Sequence, residues 1–165
     1  MSQDFLPSPL PPVARADAAR LLHRSRALSR RARRGEDVSA AGEQLAAAWA
    51  EAAARHEQRA ALALRLDVPP ELPVAAHADE LIDLFRRERV FVVCGETGSG
   101  KTTQLPKLAL AAGRGLAGRI GHTQPRRIAA RSVARRIAEE LGPDGPKAVG
   151  HTVRFHDTAP PTCRI

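Results

Sequence analysis

Val90-Phe91-Val92-Val93-Cys94-Gly95-Glu96-Thr97-Gly98-Ser99-Gly100-Lys101-Thr102 decides the fold. An unbroken apolar run leads into a glycine-rich turn, and a lysine and a hydroxyl residue then open a helical pattern. The apolar run predicts a central strand covered on both faces. The turn fits G-x-x-x-x-G-K-[ST], and a strand before it with a helix after it is the setting in which that pattern cradles phosphates. Such a loop must turn successive backbone N–H groups inward, so Gly98 and Gly100 supply conformations and a close approach that a Cβ would deny. The helix amino terminus adds partial positive charge. Lys101 is placed to bridge β- and γ-phosphate oxygens and Thr102 to set its hydroxyl on Mg²⁺, which makes these two the candidate catalytic residues and Thr102 the candidate metal ligand. Gly95, Glu96, Thr97, Gly98, Ser99, Gly100, Lys101, Thr102 and Thr103 form the candidate nucleotide site, with ATP and Mg²⁺ as the implied cofactors. Pro106 is expected to cost a hydrogen bond and leave the helix irregular after its first turn.

Outward from this loop, helix and strand patterns alternate, the signature of an α/β parallel sheet. Asp79 to Arg87 predicts a short amphipathic helix with Leu81, Ile82, Leu84 and Phe85 inward. Lys101 to Ala112 follows the loop as a helix ended by Gly113. Arg119-Ile120-Gly121-His122-Thr123 predicts a second strand. Pro125 is expected to begin a helix that runs to Leu141 and stops at Gly142-Pro143. A third strand is expected where Val149, His151, Val153 and Phe155 alternate with Gly150, Thr152 and Arg154.

Ahead of this region the character changes. Pro7, Pro9, Pro11 and Pro12 mark residues 1–14 as an extended, disordered lead. Residues 15–70 predict an α-helical arm made of an Arg-rich helix over Arg15–Arg34 and an Ala-rich helix over Ser39–Leu66, closed by Pro69, Pro70 and Pro73. Residues 71–165 then hold the nucleotide-binding region. Across the 165 residues Lys and Arg number 26 against 18 Asp and Glu, a net charge of +8, which favours a polyanionic partner such as RNA, DNA or anionic lipid. Cys94 and Cys163 sit in no Cys-x-x-Cys pattern, so disulfide and zinc frameworks are not expected. No apolar run reaches the roughly 18 residues of a membrane span, and a cytoplasmic protein is expected.

Residues 95–107, Gly-Glu-Thr-Gly-Ser-Gly-Lys-Thr-Thr-Gln-Leu-Pro-Lys, resemble motif I of the DEAH/RHA family of superfamily 2 RNA helicases more closely than the bare loop pattern requires. Thr123-Gln124-Pro125-Arg126-Arg127-Ile128-Ala129-Ala130 resembles motif Ia of that family. Val149-Gly150-His151-Thr152-Val153-Arg154-Phe155 resembles its Val-Gly-Tyr-x-x-Arg-Phe strand, with His151 in place of Tyr. Gly113-Arg114-Gly115 and Gly121-His122-Thr123-Gln124-Pro125 are most similar to the bacterial HrpA type. The resemblance covers about residues 72–165; over the arm it is one of placement and helical character only. It implies a RecA-like lobe, here incomplete, with RNA backbone held by Thr123, Arg126 and Arg127 and with Arg136 stacked on the adenine. A flat cation on a flat base makes that last contact physically sensible, and free N–H groups at a helix start suit the RNA phosphate.

The same resemblance implies a translocating ATP-dependent RNA helicase, with RNA, or DNA as the alternative, as its partner and a monomer as its expected state. An acidic site for Mg²⁺ and water, normally on a later strand, does not follow Lys101; Glu139-Glu140 is the only acidic pair after that residue and lies near a helix end. The chain is therefore expected to be an amino-terminal fragment that binds nucleotide without turning it over. Other readings stay open: a different P-loop ATPase such as a secretion or partition motor, a small-molecule kinase, or an RNA-binding arm with a vestigial nucleotide site.

Overall fold

Helix α1 (Arg15–Ala32) and helix α2 (Ser39–Ala60) pack on one another through Leu21, Leu28, Leu45, Trp49 and Ala52. Apolar positions at helical spacing on both partners explain the pairing, and each leucine withdrawn from water contributes roughly 1.5–3 kcal/mol. The computed structural model describes residues 5–165. Residues 1–4 of the lead lie outside them, and the described remainder is not the loose segment expected. Phe5, Leu6 and Val13 pack on the helical core, Ala14 is buried, and Trp49 donates its Nε1–H to the Pro11 carbonyl at 3.2 Å. Prolines remove donors but leave the carbonyls, and one of these is the acceptor a buried indole needs.

The Ala-rich helix stops at Ala60, short of the expected Leu66. From there Leu62, Leu64, Leu66 and Val68 are half-buried while Ala61, Ala63, Arg65 and Asp67 are exposed. That is the period of two of an extended chain. Arg65 N–H donates to the Leu141 carbonyl at 3.0 Å and Ala63 N–H to Asp144 Oδ2 at 3.0 Å. The chain divides into two compact units, the first ending at Ala60 and the second comprising Ala61–Ile165.

In the second unit, a 3-10 turn at Pro73–His77 leads into α3 (Ala78–Arg87). Helix α4 (Lys101–Ala111) follows the glycine-rich loop, and α5 (Arg127–Glu140) and α6 (Gly145–Ala148) follow in turn. Two apolar clusters hold these elements together. Leu81, Leu108 and Val74 gather Phe85, Phe91, Val93 and Leu105, with Phe85 and Phe91 edge to face at 4.9 Å. Ile137, Leu141, Leu110, Ala148 and Val149 gather Leu62, Leu64 and Ile120. Helix α4 continues through Pro106 to Ala111 rather than becoming irregular; a proline there removes one bond, and Pro106 is buried along with Leu108, Ala109 and Leu110. Helix α5 starts at Arg127, with Pro125 outside it and Arg126 extended at its cap.

The expected parallel sheet is not formed among the described residues. Strands β1 (Thr152–Val153) and β2 (His156–Asp157) make a two-stranded antiparallel hairpin, with Thr152 opposite Asp157 and Val153 opposite His156. Val90–Cys94 makes no backbone bond to another segment among the described residues, and Val90 and Val92 are 83% and 85% exposed, whereas Phe91 and Val93 pack inward. A buried central strand needs a bonded neighbour and a covering layer on each side; here α3 and α4 cover one face only. The third predicted strand shortens to the hairpin, which turns back at Phe155 (φ 67°). The second, Arg119–Thr123, makes one such bond, from Ile120 N–H to the Arg164 carbonyl at 2.8 Å. Ile165 in turn donates to Ala148 and accepts from Gly150, bonding of the parallel kind that extends no farther.

Candidate functional site

The glycine-rich turn is built on two left-handed glycines. Gly98 has φ 87° and Gly100 has φ 90°, the region where L side chains are strained. Gly100 is the amino-terminal cap of α4 and no side chain caps that end. Thr103 and Gln104 N–H bond back to the Gly100 carbonyl, and Ser99 N–H bonds to Glu96. The amides of Gly98, Lys101 and Thr102 donate to no acceptor among the described residues. Uncapped amides at a helix start favour an anion.

Lys101 points back into the turn. Its ammonium donates to the Gly95 carbonyl at 2.7 Å, the Glu96 carbonyl at 2.7 Å and Ser99 Oγ at 2.9 Å. An ammonium has three donors, so all three are satisfied by the loop itself, and a phosphate would enter by exchange. The loop residues Gly95 to Ser99 and Lys101 line a cavity of about 580 Å³ together with Val74, His77, Glu80 and Leu81. On another side Lys101 and Thr102 line a second cavity of about 330 Å³ with Phe85, Val93 and His122. Burial pushes the His122 imidazole below its ordinary pKa, because leaving water disfavours the charged ring. Free amides and an ammonium at the loop are groups that attract a polyphosphate, while Thr102, the candidate metal ligand, lines the second cavity and not the first; no group of three or more His, Cys, Asp or Glu that would hold a metal by itself occurs among the described residues.

The other predicted residues stand apart from this turn. Thr123 lines a cavity of about 290 Å³ with Gln124 and His151. Arg126 and Arg127 are exposed at the start of α5, and neither pairs with a carboxylate among the described residues. Arg136 lines neither cavity of the loop, yet a carboxylate connects it to α4. Its Nε donates to Glu140 Oε1 at 2.8 Å, while Glu140 Oε2 accepts Gln104 Nε2 at 2.7 Å and Lys107 Nζ at 3.2 Å. Burial raises the Glu140 pKa, but hydrogen bonds from Gln104, Lys107 and Arg136 and the Lys107 charge outweigh it, and the net shift is downward.

Gln104, Lys107 and Glu140 received no role from the sequence. Their signal was a Gln and a Lys three residues apart on the α4 face that also carries Leu108, polar side chains on an apolar stripe that must find partners if buried. Glu139 pairs with Arg135 and Glu140 with Lys107 and Arg136, so each half of the acidic pair is engaged away from the loop. Arg114, in the Gly-Arg-Gly turn, donates to the Phe85 carbonyl at the end of α3. His151 meets Thr158 Oγ1 at 3.0 Å, and the Arg154 guanidinium lies 4.8 Å from the centre of the Phe155 ring. No helix among the described residues is long and apolar enough to cross a membrane.

No protein-family model matches the chain. Among characterised proteins, it is 54% identical over 89 residues to the ATP-dependent RNA helicase HrpA of Escherichia coli, a match covering 54% of this chain and 7% of that protein. The HrpA homolog of Haemophilus influenzae is 60% identical over 89 residues, again 7% of its length. A probable ATP-dependent RNA helicase, DHR1 of Saccharomyces cerevisiae, is 45% identical over 95 residues. The match thus spans less than a tenth of each of these relatives. Over that segment the chain is similar in sequence to RNA helicases of the bacterial HrpA type and to DHR1.

Proposed function

We propose that this chain carries the nucleotide loop and the first nucleic-acid contact of an ATP-dependent RNA helicase. ATP binds at Gly95–Thr103. The uncapped start of α4 receives the phosphates, Lys101 exchanges its loop carbonyls for β- and γ-phosphate oxygens, and Thr102 offers its hydroxyl to Mg²⁺. Mg²⁺ supplies charge neutralisation between the phosphates when bound. Arg136 contributes a planar cation for the adenine. Thr123, Arg126 and Arg127 take the backbone of single-stranded RNA, a contact to phosphates that does not read sequence. Residues 15–70 act as an appended arm and residues 71–165 as the first part of a RecA-like lobe, in a monomer working in the cytoplasm. Hydrolysis and translocation need an acidic box and a second lobe, which residues 1–165 do not carry.

One observation supports this most: two left-handed glycines leave an uncapped helix end and an ammonium at the same mouth. Binding of a fluorescent ATP analogue tests it. The chain should bind saturably, and Lys101→Ala should abolish binding while leaving circular dichroism and the unfolding midpoint close to those of the parent, because the ammonium hydrogen-bonds only within its own loop. Undiminished binding by a folded Lys101→Ala chain would refute the assignment.

A further inference from the structure

Both oxygens of Glu140, the last residue of α5, are occupied, and by groups of different standing. Oε1 takes Arg136, whose side chain is 65% exposed. Oε2 takes Gln104 and Lys107 of α4, which are 0% and 2% exposed. Lys107 is anchored a second time, to the Asp67 carbonyl at 2.7 Å. A surface guanidinium is thus tied through one carboxylate to two buried groups on the helix that opens with Lys101 and Thr102.

Stability is a poor reason for such an arrangement. A buried ion pair commonly does no better than apolar side chains of the same volume, and an exposed i,i+4 pair such as Arg136 with Glu140 contributes little. Fixed geometry is what the cluster does provide. Gln104 and Lys107 immobilise the Glu140 carboxylate, and that carboxylate takes only Nε of Arg136, which leaves both terminal nitrogens and the flat face of the guanidinium open.

We propose that Glu140 is a positioning residue for the nucleotide: it locks the Arg136 guanidinium to the phosphate-loop helix, so that base and triphosphate are gripped by one rigid body. The proposal rests on the nucleotide reading above and adds to it a residue that touches no ligand.

The test compares affinities for ATP and for inorganic tripolyphosphate, which has no base. Glu140→Gln keeps the shape and removes the charge; Glu140→Gln combined with Lys107→Met removes both charges of the buried pair should the single variant not fold. The folded variant should lose roughly fivefold more affinity for ATP than for tripolyphosphate, the range expected of coupled neighbours. In an Arg136→Ala background the same change should cause no further selective loss. Equal losses for both ligands, or an ATP preference fully retained, would overturn the role of Glu140 while leaving the loop assignment standing. If the parent chain binds neither ligand, the nucleotide reading itself falls and takes this proposal with it.

Discussion

Gly98 and Gly100 share a left-handed backbone but differ in surroundings, and the difference sets two expectations. A Cβ on Gly100 would lie 3.0 Å from Leu72 Cδ1 and 3.1 Å from Val74 Cγ1, so Gly100→Ala adds crowding to conformational strain and should cost about 2–3 kcal/mol in denaturant unfolding. A Cβ on Gly98 meets nothing within 4 Å, and Gly98→Ala should cost only the strain, about 1–2 kcal/mol. Equal costs would argue against the packing of Leu72 and Val74 beneath the loop. Glu140 sets a pH expectation. Its folded pKa lies below the ordinary glutamate value, so its contribution is complete above about pH 4.3 and is lost as pH falls through the lower folded value. Glu140→Gln should therefore flatten the acid limb of a stability-against-pH curve; an unchanged limb would show that the carboxylate is not held as described. The loop glycines were legible in the sequence because their spacing is the pattern that asks for a left-handed backbone, which both adopt. The Glu140 cluster was not, because Gln104 and Lys107 lie more than thirty residues from their partner and no local pattern pairs them.

Helices were legible and strands were not, for one physical reason. The apolar period of α3, α4 and α5 describes bonds each helix makes with itself, and the structure places all three within a residue or two of expectation. A strand is satisfied only by a neighbour, and the apolar character of Val90–Cys94 says nothing about which segment will bond to it. The start of α5 is where this bears on the proposed RNA contact. Pro125 stays outside the helix and Arg126 occupies its cap with no side-chain cap bond, which leaves the first-turn amides and two unpaired guanidinium groups at one end. Arg127→Ala should weaken RNA binding about equally across sequences and reduce the slope of log affinity against log salt by about one. A loss confined to certain sequences would instead indicate contact with base edges.

The division of the chain at Ala60 went unseen in the sequence because Ala, Leu and Arg are all strong helix formers, and Leu62-Ala63-Leu64-Arg65-Leu66 therefore extends the Ala-rich helix on propensity alone. Its period is two, not 3.6, and tertiary packing followed the period. Leu62, Leu64 and Leu66 pack with Ile137, Leu141 and Val149, whereas Trp49, the only tryptophan, belongs to the core of Leu21, Leu28 and Leu45. The two cores share no residue, and fluorescence therefore reports on the first alone. Replacing Leu62, Leu64 and Leu66 by alanine should destabilise the second unit by about 1 kcal/mol for each half-buried leucine, seen as faster amide exchange in α5. The Trp49 fluorescence transition should stay where it was. If the segment instead prolonged α2, the fluorescence transition would shift and exchange in α5 would not.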